Sequence, residues 1–466
     1  MDINRFNFWQ TLPTVLEAIS LSEYVAIDLE MTGISGHSAT NLSQHTETTM
    51  YQLAAEAART YQVLQLGLTC LHYDYKQKVY RTRTFTFHIT PEFIPPNTTL
   101  AKLIDRKVIL SYRSFLFLKE NNFSFEKAFS QGVPYLSRSE GELARRAYLS
   151  DGYRQGSPAD NPVLDIWSRK FQNDTRNEIS TWLEANPGPL FDNDYRRRHK
   201  AILPTAFRYV IEALTGSAFA DDLDSSLFLN PQPSSVTTPN HDSPPARLLL
   251  SLRLSQARLR RRRPILVGHN PLFDLCFIHE AFLGPLPADV ASFRWRIHAL
   301  FPRVVDTKYL ASQLGVVANG TSGKRGMSLG ELYNRFARGG KQGLVVPDEE
   351  EWHDMSGRGR AHDAGFDSWM TAVVFLGLVR EAIGRNPGLL SCESGDKAEK
   401  GKEKGKGVDK RGKELFRELS PFPSKEEEGA GTGAAGVGLI PLWDREIWRR
   451  YGNKLRLGSR MVMNLA

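Results

Sequence analysis

The nine residues from Val25 to Gly33, VAIDLEMTG, place two acids at the end of an apolar run. Val25 to Ile27 predict a buried strand, and Asp28 and Glu30 follow at once. Side chains two apart on a strand face the same way, about 6–7 Å apart. These carboxylates therefore repel each other, and burial raises the cost of each charge. Protonation or a bound cation would relieve the repulsion; the alternative is a strand end that turns into solvent.

A second segment, ILVGHNPLFDLCF (265–277), combines a short apolar strand with a helix start. We expect Asn270 to cap this helix and Pro271 to occupy its first position. Asp274 then lies in the early turns, where the partly positive helix end favours an anion. The alternative is an ordinary acid of a first helical turn.

A third segment, HDAGFD (362–367), precedes a long apolar helical pattern. Asp363 is the predicted helix cap, and Asp367 projects near the buried face of the helix. His362 precedes the cap, and an unperturbed imidazole titrates near ~6.5, which suits it to take a proton from water. The alternative is a surface histidine ahead of a helix.

Taken together, these segments supply four carboxylates and one histidine from three distant parts of the chain. This set fits a phosphodiester site with two divalent ions ~3.5–4 Å apart. Mg²⁺ or Mn²⁺ prefers carboxylate oxygens, and the sequence has no Cys/His cluster that would favour zinc. We therefore predict two Mg²⁺ (or Mn²⁺) ions as cofactors.

Composition narrows the class of protein. The chain has 466 residues, a formal net charge of +8 and three widely spaced cysteines, Cys70, Cys276 and Cys392. The charge permits a polyanionic partner. The cysteine spacing gives no disulfide framework, which predicts a reducing compartment, here the nucleus, the cytoplasm or both. The N-terminus lacks a secretory pattern, and the apolar run AVVFLGLV is too short to span a bilayer, so we expect no membrane association.

Changes in composition and apolar periodicity along the chain predict an α/β core that is interrupted by an insertion. The predicted parts are 1–145 (core, first part), 146–220 (insertion module, a candidate RNA-binding unit), 221–250 (disordered linker), 251–386 (core, second part), 387–438 (disordered low-complexity segment) and 439–466 (tail docking on the core).

The motifs AIDLEMTGI, VGHNPLFDLCF and HDAGFD resemble those of the DEDD superfamily of 3′-to-5′ exonucleases, in its histidine-containing branch. Within it, QLGLTCL, NNFSFEKAFSQGVPYLSR and PLPADVASFRWRIHALFPRVVDTKYLAS resemble the poly(A)-specific ribonuclease group of deadenylases. The resemblance covers 1–145 and 264–380. It implies a ribonuclease-H-like exonuclease core, a mixed central sheet flanked by helices.

By the same resemblance, the metal ligands are Asp28, Glu30, Asp274 and Asp367, and His362 is the general base. Met31, Ile34 and Asn270 are implied substrate contacts, and Asp306 is read as structural or as a support of the ligands. The implied activity is Mg²⁺-dependent trimming of single-stranded RNA 3′ ends, either poly(A) tails or non-coding RNA extensions. Relatives are often dimers, so a homodimer is possible.

Two other functions stay open at this stage. The same ligand set serves a DNA 3′ exonuclease, and a non-catalytic RNA-binding scaffold could keep the fold. A basic run from Arg253 to Pro264, RLSQARLRRRRP, could contact phosphates or act as a nuclear-localisation tract. It could equally be the solvated end of a linker.

Overall fold

The computed structural model describes residues 1–34, 46–90, 107–143, 207–220, 223, 244–316, 328–338, 345–347, 362–391, 440–458 and 461–466. Most of the predicted insertion module (146–220), linker (221–250) and low-complexity segment (387–438) lies outside these residues.

One mixed sheet forms the centre of the described chain. Its strands are β1 (Asp2–Ile3), β2 (Tyr24–Met31), β3 (Val63–Asp74), β4 (Val79–Thr90), β5 (Val133–Pro134), β6 (Ile265–Gly268), β7 (Val304–Asp306) and β8 (Val345–Pro347). The spatial order is β1-β4-β3-β2-β6-β7, and β5 and β8 also pair with β4. Strands β2, β6 and β7 are parallel to one another, whereas β3 is antiparallel to both β2 and β4.

Helices cover both faces of this sheet. They are α1 (Phe8–Leu21), α2 (Glu47–Thr60), α3 (Tyr112–Glu120), α4 (Phe125–Phe129), α5 (Arg208–Thr215), α6 (Pro244–Arg261), α7 (Leu272–Ile278), α8 (Val290–Leu300), α9 (Thr307–Gln313), α10 (Leu329–Arg338), α11 (Ala364–Arg385) and α12 (Glu446–Tyr451). A π-helical turn, His279–Leu283, follows α7, and a 3-10 helix, Pro387–Leu390, follows α11.

The alternation of side chains along β2 separates two cores. Val25, Ile27 and Leu29 pack in one apolar cluster with residues of α1, α2 and α7. Tyr24 and Ala26 pack in the other, with residues of α9, α11 and α12. Because Asp28 and Glu30 share the parity of Tyr24, they point toward the α11 face. The predicted mixed sheet flanked by helices is confirmed.

Two predicted helix starts are wrong. The helical spacing of residues 4 to 19 predicts a helix from Asn4, but α1 begins at Phe8, because the Asn4 backbone N–H donates to Asn7 Oδ1 at 2.9 Å and forms a turn instead. The helix expected to be capped by Asn270 begins at Leu272, with Pro271 in the cap position. Asn270 has a left-handed backbone (φ 63°), whereas an N-cap residue normally has extended backbone angles.

Three described elements differ from the predicted boundaries. Helix α5 lies within 146–220, yet Tyr209, Val210 and Ile211 belong to the main core, and Arg138 Nε donates to Glu212 Oε1 at 2.8 Å. Helix α6 begins inside the expected linker, and the 3-10 helix inside 387–438 buries Leu389. In each case apolar side chains of the element are buried in one of the two cores.

The C-terminal residues pack against both cores. Ile447 and Trp448 of α12 are buried beside α11. A hairpin follows, of β9 (Lys454–Leu457) and β10 (Met461–Asn464), and its Leu455 and Leu457 enter the other core. No helix in the described ranges is long and apolar enough to cross a membrane.

Candidate active site

Strand β2 presents the first two acids of the site. Asp28 is half-buried, and Glu30 keeps only 8% of its surface exposed. The pairing of β2 with β3 shifts register between Glu30 and Met31. Such an irregularity bends a strand and re-aims its side chains, and it is common beside active sites.

Helix α11 brings the third segment against the same strands. Asp363 is the N-cap, as predicted, and accepts the Phe366 N–H at 3.2 Å. Asp367 lies in the first turn and is 8% exposed. The helix start reaches the sheet so closely that a Cβ on Gly67 would lie 1.7 Å from the Ala364 carbonyl oxygen.

Helix α7 supplies Asp274 from its first turn, as predicted. Burial raises the pKa of its carboxyl group, and the nearby backbone N–H groups of Asp274 itself and of Leu29 offset part of that rise. Leu29 stands between Asp28 and Glu30 on β2, so Asp274 lies close to the strand that carries the first two acids.

The four acids act on one another electrostatically. Burial, followed by the charges of Asp367, Asp274 and Glu30, raises the pKa of Asp28 well above its usual range. Burial, followed by Asp367 and Asp274, does the same for the pKa of Glu30. Burial raises the pKa of Asp274 and of Asp367 to about 7 each. The structure thus brings together carboxylates from three distant segments.

The donor set fits a hard divalent cation. One ligand atom each from Glu30, His362 and Asp367 lie within 4.8 Å of one another. Asp28 and Asp274 stand outside this tightest group. Oδ1 of Asp367 is buried and has no hydrogen-bond donor among the described residues. This buried carboxylate oxygen has no donor among the described residues, and the neighbouring carboxyl groups have raised pKa values. Both features fit ligands of a magnesium or manganese ion.

His362 is held by two neighbours. Its backbone is left-handed (φ 69°), and its N–H donates to Asp367 Oδ2 at 3.2 Å. Its Nδ1 lies 4.0 Å from the same oxygen. The ring of Phe117, on α3, meets the imidazole edge-on with centroids 4.4 Å apart. Burial lowers the pKa of His362, so the imidazole is neutral at pH 7 and able to accept a proton.

The remaining candidate residues have separate environments. Met31 is half-buried against the main core, whereas Ile34 is 55% exposed. Asn270 donates its backbone N–H to Asp306 Oδ1 at 2.9 Å. Asp306 is fully buried and also accepts the N–H of Lys308 and of Arg456. These contacts agree with a structural role for Asp306. The substrate roles of Met31, Ile34 and Asn270 stay predictions.

Two residues of the site were not predicted. Gln65 lies opposite Glu30 on β3, and its Oε1 accepts the Ala364 N–H at 2.8 Å. The sequence does indicate Gln65, because it is a polar residue inside the apolar run VLQLGL. Nothing in the sequence marked Phe117, because its role depends on where α3 packs.

Comparison with protein families identifies the family of the chain. The family model of the CAF1 family ribonucleases matches residues 3–375. The chain belongs to the CAF1 ribonuclease family. This match spans all three acidic segments and the histidine. Together with the mixed sheet, it confirms the predicted ribonuclease-H-like fold class and the predicted ribonuclease assignment.

Individual relatives agree with this family. The pre-piRNA 3′-exonuclease trimmer of Bombyx mori is 26% identical over 83% of this chain and 73% of its own length. Poly(A)-specific ribonuclease PARN of Bos taurus is 27% identical over 81% of this chain and 62% of its own length. The 3′-5′ exoribonuclease parn-1 of Caenorhabditis elegans is 27% identical over 81% of this chain and 69% of its own length.

Among solved structures, S. pombe Pop2p in its Mg²⁺- and Mn²⁺-bound form aligns at 13% identity with a TM-score of 0.38. The alignment covers 83% of this chain and 92% of that chain. This chain spans 73%, 62% and 69% of the length of the three sequence relatives named above. The substrates in their names are therefore statements about those proteins only.

Proposed function

We propose that this CAF1-family chain is a Mg²⁺-dependent 3′-to-5′ exoribonuclease that trims single-stranded RNA 3′ ends and releases 5′-nucleotides. The observation that carries the proposal is the convergence of Asp28, Glu30, Asp274 and Asp367 beside a neutral His362. The named activities of the relatives, RNA 3′ trimming and poly(A)-specific hydrolysis, support the choice of RNA.

The four carboxylates would hold one or two Mg²⁺ or Mn²⁺ ions. Bound divalent ions lower the pKa of water and stabilise charge on the oxygens of a phosphodiester. The oxygen of Asp367 that has no donor among the described residues, and the repulsion that Asp367 and Asp274 exert on Asp28 and Glu30, support this assignment.

His362 would take the proton of the attacking water. Its pKa is lowered by burial, so most of the imidazole is neutral at pH 7 and can accept that proton. Its N–H bond to Asp367 and its ring contact with Phe117 fix the imidazole beside the carboxylates. His362→Ala should lower kcat by roughly 10²–10⁴-fold, the usual contribution of a general base.

The substrate class within RNA is part of the proposal. Poly(A) tails and 3′ extensions of non-coding RNA are both single-stranded ends that the site could admit. Nuclear or cytoplasmic location and a homodimer accompany this proposal as untested predictions.

A 5′-labelled oligo(A), a mixed-sequence RNA and a matching DNA should be incubated with the protein in Mg²⁺ or in chelator. We expect stepwise shortening of RNA in Mg²⁺, release of 5′-nucleotides, and no reaction in chelator or with Asp28→Asn or Asp274→Asn. The exposed N-cap variant Asp289→Asn is the matched control and should retain wild-type activity.

Three results would change the conclusion. Faster shortening of DNA than of RNA would make the protein a DNA 3′ exonuclease. RNA binding without any Mg²⁺-dependent shortening would make it a non-catalytic scaffold. If Asp28→Asn digested RNA at the wild-type rate, the assignment of Asp28 as a metal ligand would be contradicted.

A further inference from the structure

Six arginines lie together at the edge of the sheet where β2, β6 and β7 begin. Five of them end or follow helix α6, and the sixth precedes β7; we call the set the arginine edge: Arg258, Arg260, Arg261, Arg262, Arg263 and Arg303. The side chains of Arg260 and Arg261 are exposed. The function proposed above makes no use of this surface.

Backbone contacts position part of the arginine edge. The Arg262 N–H donates to the Arg258 carbonyl at 2.8 Å and so continues the helical turn. The Arg263 guanidinium donates to the carbonyls of Ala299 and Leu300 at 2.9 Å each. The Arg303 guanidinium donates in turn to the Arg263 carbonyl. The guanidinium groups of Arg263 and Arg303 are therefore held in place by backbone acceptors and need little ordering when an anion arrives.

Positive charge accumulates at this edge. Burial, followed by the charges of Arg262 and Arg263, lowers the pKa of Arg303, which shows that like charges stand close together. Glu23 lies within electrostatic range of Arg262 and offsets part of this charge. Guanidinium forks match phosphate oxygens in geometry as well as in charge.

The arginine edge lies at the opposite end of the parallel strands from the acids. Tyr24 pairs with Ile265, and Leu266 with Val304, so all three strands begin at this edge. Asp28 comes four residues after Tyr24, a rise of about 13 Å along the strand. The arginine edge therefore does not face the carboxylates, and a ligand that reaches both must run along the body of the protein.

We propose that the arginine edge binds backbone phosphates of the RNA upstream of the 3′ end that occupies the acidic site. The proposal rests on the exoribonuclease function proposed above. At ~3.4 Å per stacked nucleotide, an RNA needs more than about four nucleotides to reach from the acids to the arginines. Long substrates gain affinity from the arginine edge, whereas a trinucleotide does not.

A nuclear-import receptor is the competing partner for a basic run. Such a receptor reads an accessible extended peptide, whereas Arg258 to Arg261 are helical here and Arg263 is bound to α8 carbonyls. A run that is helical and partly bonded to the body of the protein favours a phosphate backbone as the partner.

The test compares Arg260→Gln/Arg261→Gln with wild type and with a matched control, Lys76→Gln/Lys78→Gln. The control removes two exposed cations from the turn between β3 and β4. Affinity for a 25-nucleotide RNA is measured by fluorescence anisotropy in chelator across a range of salt, and trinucleotide hydrolysis is measured in Mg²⁺. Circular dichroism checks that each variant is folded.

We expect the arginine variant to bind the long RNA about tenfold more weakly and to lose about 1.4 from the slope of log affinity against log salt, ~0.7 for each phosphate contact. Trinucleotide hydrolysis should stay at the wild-type rate, and the lysine control should behave as wild type in both assays.

Unchanged affinity and salt slope would overturn the proposal, as would an equal loss of trinucleotide turnover, which would place the effect in the catalytic site or the fold. Intact RNA binding with lost binding to an import receptor would also overturn it. If wild type cleaves no RNA while the arginine variant still loses long-RNA affinity, the exoribonuclease proposal falls and the arginine edge remains an RNA-binding surface.

Discussion

The side-chain oxygen of Gln65 accepts the backbone N–H of Ala364 at 2.8 Å, across 299 positions of sequence. Ala364 is the first residue of helix α11, which carries Asp367. On the neighbouring strand, Glu30 lies directly opposite Gln65. One buried amide therefore ties the helix that bears one acid to the strand pair that bears two others.

Replacement of Gln65 by Met should therefore loosen the site. The Ala364 N–H would lose its acceptor in a buried position, which costs about 1–3 kcal/mol. We expect a lower free energy of unfolding in urea and a fall in RNA turnover of roughly tenfold or more, because small displacements of positioned groups are costly. Gln52→Met, on the exposed face of α2, is the control and should leave both unchanged. Full activity in Gln65→Met would show that the amide does not position α11.

Gly67→Ala should displace the start of α11. The added Cβ would lie 1.7 Å from the Ala364 carbonyl oxygen, a backbone atom that cannot move alone. We expect a destabilisation of about 1–3 kcal/mol and a large loss of turnover. Gly384→Ala lies near the other end of the same helix, where an added Cβ meets no atom within 4 Å. It should stabilise α11 by up to ~1 kcal/mol. Equal behaviour of the two variants in thermal unfolding would contradict this account.

Asp306→Asn tests the buried carboxylate that links the C-terminal hairpin to the turn after β6. Oδ1 accepts from Asn270 and Lys308, and Oδ2 accepts from Arg456. An asparagine must direct its amide N–H₂ at one of these donors, so a buried N–H is left unsatisfied at a cost of about 1–3 kcal/mol. Asp289→Asn, an exposed N-cap, should be neutral, since both residues cap helices equally well. Chemical denaturation of the two variants measures the difference.

The acidic cluster should make the metal-free protein less stable as pH rises. Asp274 and Asp367 have a pKa of about 7 each in the folded chain, against the ordinary 3.8. Between about pH 4 and 7 the folded state therefore holds protons that the unfolded state has lost. Stability falls through that window by at most ~1.4 kcal/mol per pH unit for each group and levels off above it.

Thermal unfolding in chelator from pH 5 to 8 measures this dependence. The difference in melting temperature between Asp274→Asn/Asp367→Asn and wild type should grow in favour of the variant as pH rises to 7. Mg²⁺ should stabilise wild type most at and above pH 7, where the carboxylates are ionised, and should not stabilise the variant. A difference that is independent of pH would show that the pKa values of Asp274 and Asp367 are not raised in the folded chain.

Local patterns predicted the acids and their immediate setting. The apolar run before Asp28 gives a strand, Asp363 caps α11, and Asp274 lies in a first helical turn; each depends on residues within a few positions. The local pattern failed at Asn270, whose backbone is bent into the left-handed region while its N–H bonds to Asp306, a residue 36 positions away. Helix α5 was likewise assigned to an insertion, because local composition and periodicity do not show which core a helix packs against.

By itself, then, the sequence determined which acids and which histidine are present, their secondary-structure positions, and the family to which the chain belongs. The tertiary structure decided that Asp274 lies near the N–H of Leu29, that Gln65 and Gly67 position the start of α11, and that Phe117 packs against His362. It also decided that six arginines share the sheet edge away from the acids. The physical reason is range: strand and helix preferences act over a few residues, whereas these contacts require strand register and helix placement to be fixed first.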